Sequence, residues 1–341
     1  MPRKTIIIAE AGVNHNGSVE NAKKLIDAAA DSGADYVKFQ TFITENIVSK
    51  GAEKAVYQIE NVEEEAGVSQ FDMLKALELD RETHDILINY CGQKGIKFLS
   101  TPFDLESADY LAELHLEVFK IPSGEITNEP YLIKIAGLGK PVIMSTGMCT
   151  LEEVKAAHQV LLDHGMDKKN IIILHCNTEY PTPMEDVNLR AMLTLGKELD
   201  AQIGYSDHTL GIEIPIAAVA MGASVIEKHF TLDRNMKGPD HRASLEPDEL
   251  KQMIQSIRNI ELALGDGVKK PSASEIKNII PARKSIHLKR NLNAGDKITL
   301  ADLEMLRPGD GISPFELSKV IDRSAKQNLE RGTKLLWNDL V

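Results

Sequence analysis

Eight short β-rich runs alternate with helical stretches along the first 265 residues, and this alternation narrows the fold more than any other feature. The runs are TIIIAEAG (5–12), YVKFQT (36–41), KFLSTP (97–102), VFKIPS (118–123), PVIMST (141–146), IIILHCN (171–177), QIGYSD (202–207) and SVIEKHFT (224–231). Between them, segments such as SVENAKKLIDAAADSGA and LEEVKAAHQVLLDHG carry apolar residues three and four apart, the period of a helix with one buried face. Several of these segments end at glycine, which suits a helix C-terminus. Eight β/α units in this length predict an α/β fold of the (β/α)8 TIM-barrel type, which typically takes about 250 residues. An open doubly wound sheet is the rival. It calls for a glycine-rich phosphate turn after its first strand, and AEAGVNHNGS lacks the GxGxxG spacing.

The barrel is therefore expected over residues 1–265. A Gly, Lys, Pro and Ser-containing stretch at 266–281 reads as a linker, leaving a separate small domain at 282–341. That domain hides a repeat. LNAGDKITLADL (292–303) and LERGTKLLWNDL (329–340) align at an offset of 37 residues, so that Leu292, Gly295, Lys297, Asp302 and Leu303 recur as Leu329, Gly332, Lys334, Asp339 and Leu340. Two copies are too few for a solenoid and predict the pseudo-symmetric halves of one β-rich domain. RPGDGISP, headed by Arg307, lies between them.

A barrel keeps its active site at the C-terminal ends of its strands, and here polar residues collect at every one. Glu10 ends the first run, Lys38 and Gln40 the second, and Thr101 the third. Lys120, Ser123 and then Glu125 follow the fourth, with Ser145 and Thr146 after the fifth. Asn177 and Tyr180 come next, then Ser206, Asp207 and His208, then Glu227 and His229. Strand alternation places Lys38 with Gln40, Ser206 with His208, and Glu227 with His229 on common faces. Lys228 is then expected to point outward, its head snorkelling to water between the helices.

His208 and His229 fall on neighbouring strands, so their imidazoles can meet on one divalent ion of the Mn, Fe, Co or Zn kind and leave positions open for substrate and water. A pair of hydrogen-bonded core histidines is the plainer alternative. Lys38 and Lys120 follow apolar runs, and a lysine inside a barrel is costly unless its charge is used. With the hydroxyls of Thr101, Ser123, Ser145 and Ser206 they can cradle a phosphate or carboxylate; the competing chemistry is a Schiff-base lysine. Glu10 and Glu125 are candidate acid–base groups, although Glu10 can equally serve the backbone of the GVNHNG loop. Cys176 has no base at a telling spacing and reads as a small core residue.

The net charge of −12 argues against nucleic acid as a partner, since phosphate backbones need clustered Lys and Arg, but leaves room for a local anion pocket. Three cysteines without CxxC spacing give neither a disulfide framework nor a zinc motif. The first apolar run is cut short by Glu10 and Gly12, so no signal peptide or membrane span is expected and the cytoplasm is the expected compartment.

AEAGVNHNGS, VKFQTF, LSTPFD, FKIPSGEITN, STGM, HCNTEYPTPMEDVNL, GYSDHT, IEKHFTLD and GPDHRAS follow one another as in the bacterial sialic acid synthase family, which the chain resembles over nearly its whole length. RPGDGISP resembles that family's antifreeze-like (SAF) domain. The resemblance implies an enzyme that condenses phosphoenolpyruvate with an N-acylated hexosamine and water, giving a nine-carbon 2-keto acid and phosphate. N-acetylmannosamine is the first acceptor it suggests, yielding N-acetylneuraminate. The alternative is 2,4-diacetamido-2,4,6-trideoxymannose, yielding N,N'-diacetyllegionaminate. It implies a homodimer whose antifreeze-like domain caps the partner's barrel. It implies that His208 and His229 hold Mn²⁺, with Mg²⁺ or Co²⁺ as substitutes. Lys38, Thr101, Lys120, Ser123, Ser145, Ser206 and, beside them, Asn177 are then expected around phosphoenolpyruvate. Gln40, Tyr180, Asp240 and Arg307 are expected to face the sugar, and Glu10 or Glu125 to handle the attacking water.

Overall fold

The computed structural model describes residues 4–49, 52 and 69–341, and the chain divides into two compact units, Met1–Gly265 and Asp266–Val341. In the first, the eight predicted runs form β1 (Ile6–Gly12), β2 (Tyr36–Thr41), β3 (Lys97–Pro102), β4 (Phe119–Ile121), β5 (Val142–Ser145), β6 (Ile171–Cys176), β7 (Gln202–Asp207) and β8 (Val225–His229). Neighbours pair in parallel in the order β3-β2-β1-β8-β7-β6-β5-β4, so the first strand lies against the last, and β3 and β4 lie side by side at the seam. A helix follows each strand, from Val19–Ser32 after β1 to Pro247–Leu264 after β8. The first shows why these segments are helical. Ser18 caps it by accepting from the Asn21 amide, Leu25, Ile26 and Ala29 bury one face, and Gly33 ends it at φ 83°, where a side chain would be strained. The sheet and helices form the TIM-type α/β architecture that the alternation predicts.

The period of two along each strand creates the site. One parity of β1, β2, β7 and β8, including Ile7, Val37, Phe39, Tyr205 and Ile226, packs outward against the helices. The other parity fills the lumen with an apolar layer of Ile8, Leu99, Ile143, Leu174 and Val225, joined by Tyr36 and Val118 at its edge. Gly204 belongs to this layer because nothing larger fits: a Cβ there would lie 2.4 Å from the Val225 carbonyl and 2.5 Å from Leu174 Cδ2. Two residues further along every strand the layer turns polar, giving Glu10, Lys38, Thr101, Lys120, Ser145, Cys176, Ser206 and Glu227 in strand order. The packed apolar layer is thus the base on which a polar floor stands. Two short helices, Thr44–Ile47 and Gln70–Lys75, interrupt the path from β2 to its helix Arg81–Lys94.

The second unit has its own core of Ile286, Leu288, Leu292, Ile298, Val320, Leu335 and their neighbours. Strands β9 (Ser285–Leu288) and β10 (Leu303–Leu306) pair antiparallel. The repeat is visible as symmetry: the Leu292 and Leu329 amides each donate to the other's carbonyl at 2.8 Å. Gly295 and Gly332 both take positive φ, 89° and 83°. Asp302 and Asp339 each accept the backbone amide of the residue three positions before it. The stretch read as a linker contains two single-turn helices, Ala273–Ile276 and Ile279–Ala282. Among the described residues no helix is long and apolar enough to cross a membrane.

Candidate active site

The floor is a cluster of buried charges. Glu227 lies at its centre, 3.6 Å from both Lys38 Nζ and Lys120 Nζ, and accepts from the Ser206 hydroxyl at 2.9 Å. Lys38 also meets Glu10 Oε2 at 2.7 Å and donates to Thr101 at 2.8 Å, while Lys120 donates to Ser145 at 2.6 Å. Burial would raise the Glu227 carboxyl, but the Lys120 and Lys38 ammoniums outweigh it and bring the pKa down to about 2. Glu10 goes the other way: burial dominates and Glu227 adds to it, so that Lys38, with a smaller pull from Lys120, still leaves it at about 7. Burial works against the Lys38 ammonium, yet Glu10 and Glu227 raise its pKa overall, so it stays charged; Lys120, with burial foremost, is lowered. Glu10 Oε2 and Glu227 Oε2 are buried without a well-aligned hydrogen bond, so their contacts with lysine are electrostatic and each oxygen can still accept from a donor in the cavity. This floor opens into a cavity of about 460 Å³ that Ser123, Tyr180, His208 and His229 also line.

The two histidines stand together, ring centroids 5.2 Å apart. Tyr180 stacks on His208 at 4.0 Å and meets His229 edge-on at 5.5 Å. His208 Nδ1 donates to the Asn177 carbonyl at 2.5 Å, which fixes the tautomer and leaves Nε2 as a lone-pair donor. Burial lowers the His208 pKa to about 4 and the His229 pKa well below the ordinary value, so both rings are neutral, the form that binds metals. His229 Nδ1 is buried with no hydrogen-bond partner, and Asp240 Oδ2 lies 3.9 Å from it. Among the described residues no group of three or more His, Cys, Asp or Glu side chains is arranged as a metal cage. A two-nitrogen donor set of this kind fits an ion that takes its other ligands from substrate and water.

Lys228 corrects the strand reading. It does point away from the lumen, but it never reaches water: it is 0% exposed, with Nζ 2.5 Å from the equally buried Asp207 and donating to the Thr209 carbonyl. Asp207 also accepts from the Thr209 amide and hydroxyl. The helices close over this side of β7 and β8, leaving no channel for a snorkelling head. The resulting ion pair ties the two strands together one residue before each histidine.

A second cavity, about 800 Å³, adjoins the first and shares Gln40, Phe103 and Tyr180 with it. Asp240 and Glu125 line this outer chamber. Glu125, held by Asn128 at 2.5 Å, is raised by its burial, and Asp240 is raised by burial to about 6. Asn177 lines neither cavity. Its side chain accepts from the Glu179 amide at 2.7 Å and its carbonyl holds His208, so it shapes the loop after β6. Cys176 is buried beside Ser123, its thiol 3.2 Å from that hydroxyl, with a pKa that burial raises. Arg307 belongs to the second unit, where it donates to the Ala282 carbonyl at 3.1 Å.

Sequence reasoning noticed Glu227 as a strand-end charge but assigned it no role, although it is the hub of the floor. The signal was present, since Glu227 shares a face with His229. Gly12 was missed as well: at φ 50°, a Cβ would lie 3.2 Å from Glu10 Oε1, 3.3 Å from Gln40 Nε2 and 3.4 Å from His229 Cε1. Its bare backbone lets three site side chains converge.

This geometry has counterparts. The NeuB family model matches residues 25–269, and the SAF domain model matches residues 283–341. The N,N'-diacetyllegionaminic acid synthase of Campylobacter jejuni is 53% identical over 326 residues, 96% of this chain and 97% of that protein. The protein of the same name from Legionella pneumophila is 49% identical over 98% of this chain and 94% of its own length. Among solved structures, the N-acetylneuraminic acid synthetase of Leptospira borgpetersenii in complex with citrate is 37% identical with a TM-score of 0.69, covering 81% of this chain and 90% of that one.

Proposed function

The chain belongs to the NeuB family, and from that premise we propose that it condenses phosphoenolpyruvate with 2,4-diacetamido-2,4,6-trideoxymannose and water, giving N,N'-diacetyllegionaminate and phosphate. The observation that carries this reading is the pair of legionaminate synthases at 53% and 49% identity, each aligned over nearly its whole length. They favour this acceptor over N-acetylmannosamine, the first that the sequence motifs suggest.

The floor suits phosphoenolpyruvate, whose carboxylate and phosphate need cations in a place water does not screen. Lys38 and Lys120 supply them, and the Thr101 and Ser145 hydroxyls, which accept from these lysines, keep a proton to donate, while Ser206 donates to Glu227. C3 of the enol ester attacks the aldehyde carbon of the open-chain sugar. One C–C bond forms, and the aldehyde oxygen takes the electron pair and then a proton. Water adds to the cationic C2 and loses a proton, and the tetrahedral centre expels phosphate as its C–O bond breaks, leaving the 2-keto acid. His208 and His229 hold the divalent ion, Mn²⁺ first, which supplies Lewis acidity toward the aldehyde oxygen. Of the two glutamates, Glu10 is the one at the floor, with an oxygen free to accept from water and a pKa near 7 that lets it take and return a proton. Glu125 lines the outer chamber and is bonded to Asn128.

The family resemblance adds a homodimer whose antifreeze-like domain brings Arg307 to the partner's barrel mouth. Mixing an Arg307→Ala protomer with a floor-inactivated protomer tests this: restored turnover in the mixture is expected, and its absence removes the exchange. The reading as a whole is tested by phosphate release from phosphoenolpyruvate with Mn²⁺ and each sugar offered separately. Faster release with the diacetamido sugar is expected. Release with N-acetylmannosamine alone would return the neuraminate reading, and release with neither would end both.

A further inference from the structure

The outer chamber has a lining of mixed character. Gln40, Asn46, Gln70, Glu125 and Asn128 are all able to hydrogen-bond. Facing the same space are Ile47, the last residue of the short helix Thr44–Ile47, and Leu74 of the helix Gln70–Lys75. Both are half-buried and pack on the apolar cluster of Val13, Phe42, Met73 and Leu77, which lines the chamber with them. Phe42 and Phe103 meet edge-to-face at 6.4 Å and 86°, which stiffens this backing. Ile47, Leu74 and this cluster therefore give the chamber an apolar patch, with Asn46 and Gln70 lining the chamber from the same two helices.

The position of the reacting carbons decides what meets it. The aldehyde carbon must reach the floor, where the histidines and lysines stand. The rest of the sugar then passes Gln40, Phe103 and Tyr180 into the larger cavity, because these are the described residues that line both spaces. C4 to C6 thus lie in the chamber. N-acetylmannosamine carries hydroxyls at C4 and C6, whereas the diacetamido sugar carries an acetamido group and a methyl. We infer that Ile47 and Leu74 select the acceptor by packing on its 6-deoxy end, the C6 methyl and the 4-acetamido methyl. A C6 hydroxyl pressed against these two side chains loses its water there without a hydrogen bond from either of them. The amide N–H and carbonyl turn to the polar side chains of the lining. An apolar surface of this kind discriminates by about 10²-fold. The inference rests on the legionaminate reading and names the residues that make the choice.

The test is kcat/KM for both sugars with wild type, Ile47→Asn, Leu74→Asn and Leu74→Ala. Wild type should favour the diacetamido sugar by about 10²-fold. Each asparagine variant should cut that ratio at least about tenfold, through a higher KM for the deoxy sugar and a lower one for N-acetylmannosamine, while the KM for phosphoenolpyruvate holds. Leu74→Ala, which removes contact without adding polarity, should cut it by a smaller factor. Ile47 is a half-buried residue at the end of a single-turn helix, so Ile47→Asn and Leu74→Ala decide the matter even if Leu74→Asn fails to fold. A selective wild type whose variants keep the ratio within twofold overturns the inference and leaves the functional reading standing. A wild type that does not use the diacetamido sugar overturns the functional reading, and the inference with it.

Discussion

The inner floor and the outer chamber are neighbours built by opposite means. Every floor residue rises from a barrel strand two positions above a packed apolar layer, and its charges are compensated by one another: Glu227 between two lysines, Glu10 on Lys38. The chamber is assembled from loops and inserted short helices, and among the described residues its acidic side chains, such as Glu125 and Asp240, have no lysine partner. The floor is rigid and chemically specific because a rearrangement would need the whole sheet to move. The chamber can change wall residues without disturbing the sheet. Chemistry shared across a family belongs on the first kind of surface, and selectivity that varies within it on the second.

If that division is right, the two regions fail differently. The largest effect is expected at the histidines: His208→Ala or His229→Ala should abolish turnover and lower bound Mn²⁺ measured on the dialysed protein. A variant that keeps its metal and its rate would return the pair to the status of core histidines. Next comes Glu227→Gln. It leaves the two buried ammoniums with Glu10 alone, so the rate should fall on the order of 10³-fold. An equally conservative change in the chamber, Glu125→Gln, should cost far less; equal losses would erase the distinction. Lys228→Met probes the frame behind the floor. It strands Asp207 as an unpaired buried charge, so unfolding by urea should show a loss of about 3–5 kcal/mol. Replacing Asp207 by leucine in the same chain should recover part of it, and no recovery would mean the pair is not what holds β7 to β8.

The floor was legible in the sequence because strand periodicity is rigid: once eight runs were recognised, their ends had to converge. Lys38, Thr101, Lys120, Ser145, Ser206 and both histidines follow from that rule alone. Lys228 was misjudged because the period of two tells which face a side chain takes and says nothing of whether helices seal it. Asn177, one residue past β6, follows the lumen-facing Cys176 directly, so the same period of two turns it from the floor, whereas His208, one residue past β7, keeps the parity of Ser206. Ile47 and Leu74 were invisible. They sit on helices of four and six residues, too short for periodicity to register, and only tertiary packing brings them to one cavity.

The smallest expected effect separates floor from chamber by acid alone. Glu227, held at about 2 by Lys120 and Lys38 against its burial, stays ionised through the useful pH range. Asp240 has burial and, among the described residues, no cation beside it, so it takes a proton as pH falls through about 6. A protonated Asp240 trades a charged hydrogen-bond acceptor for a neutral one, a difference of about 1 kcal/mol, or roughly fivefold in acceptor KM. Acceptor KM should therefore rise several-fold between pH 7.5 and 5.5. Glu10, at about 7, titrates in the same window but belongs to the floor, so its protonation should appear in kcat. Asp240→Asn tells them apart, because asparagine cannot titrate. That variant should bind the acceptor more weakly at high pH and lose the pH dependence of KM, while the kcat profile remains. If Asp240→Asn keeps the same slope in KM, the proton is going elsewhere, and the chamber's acids are as firmly held as those of the floor.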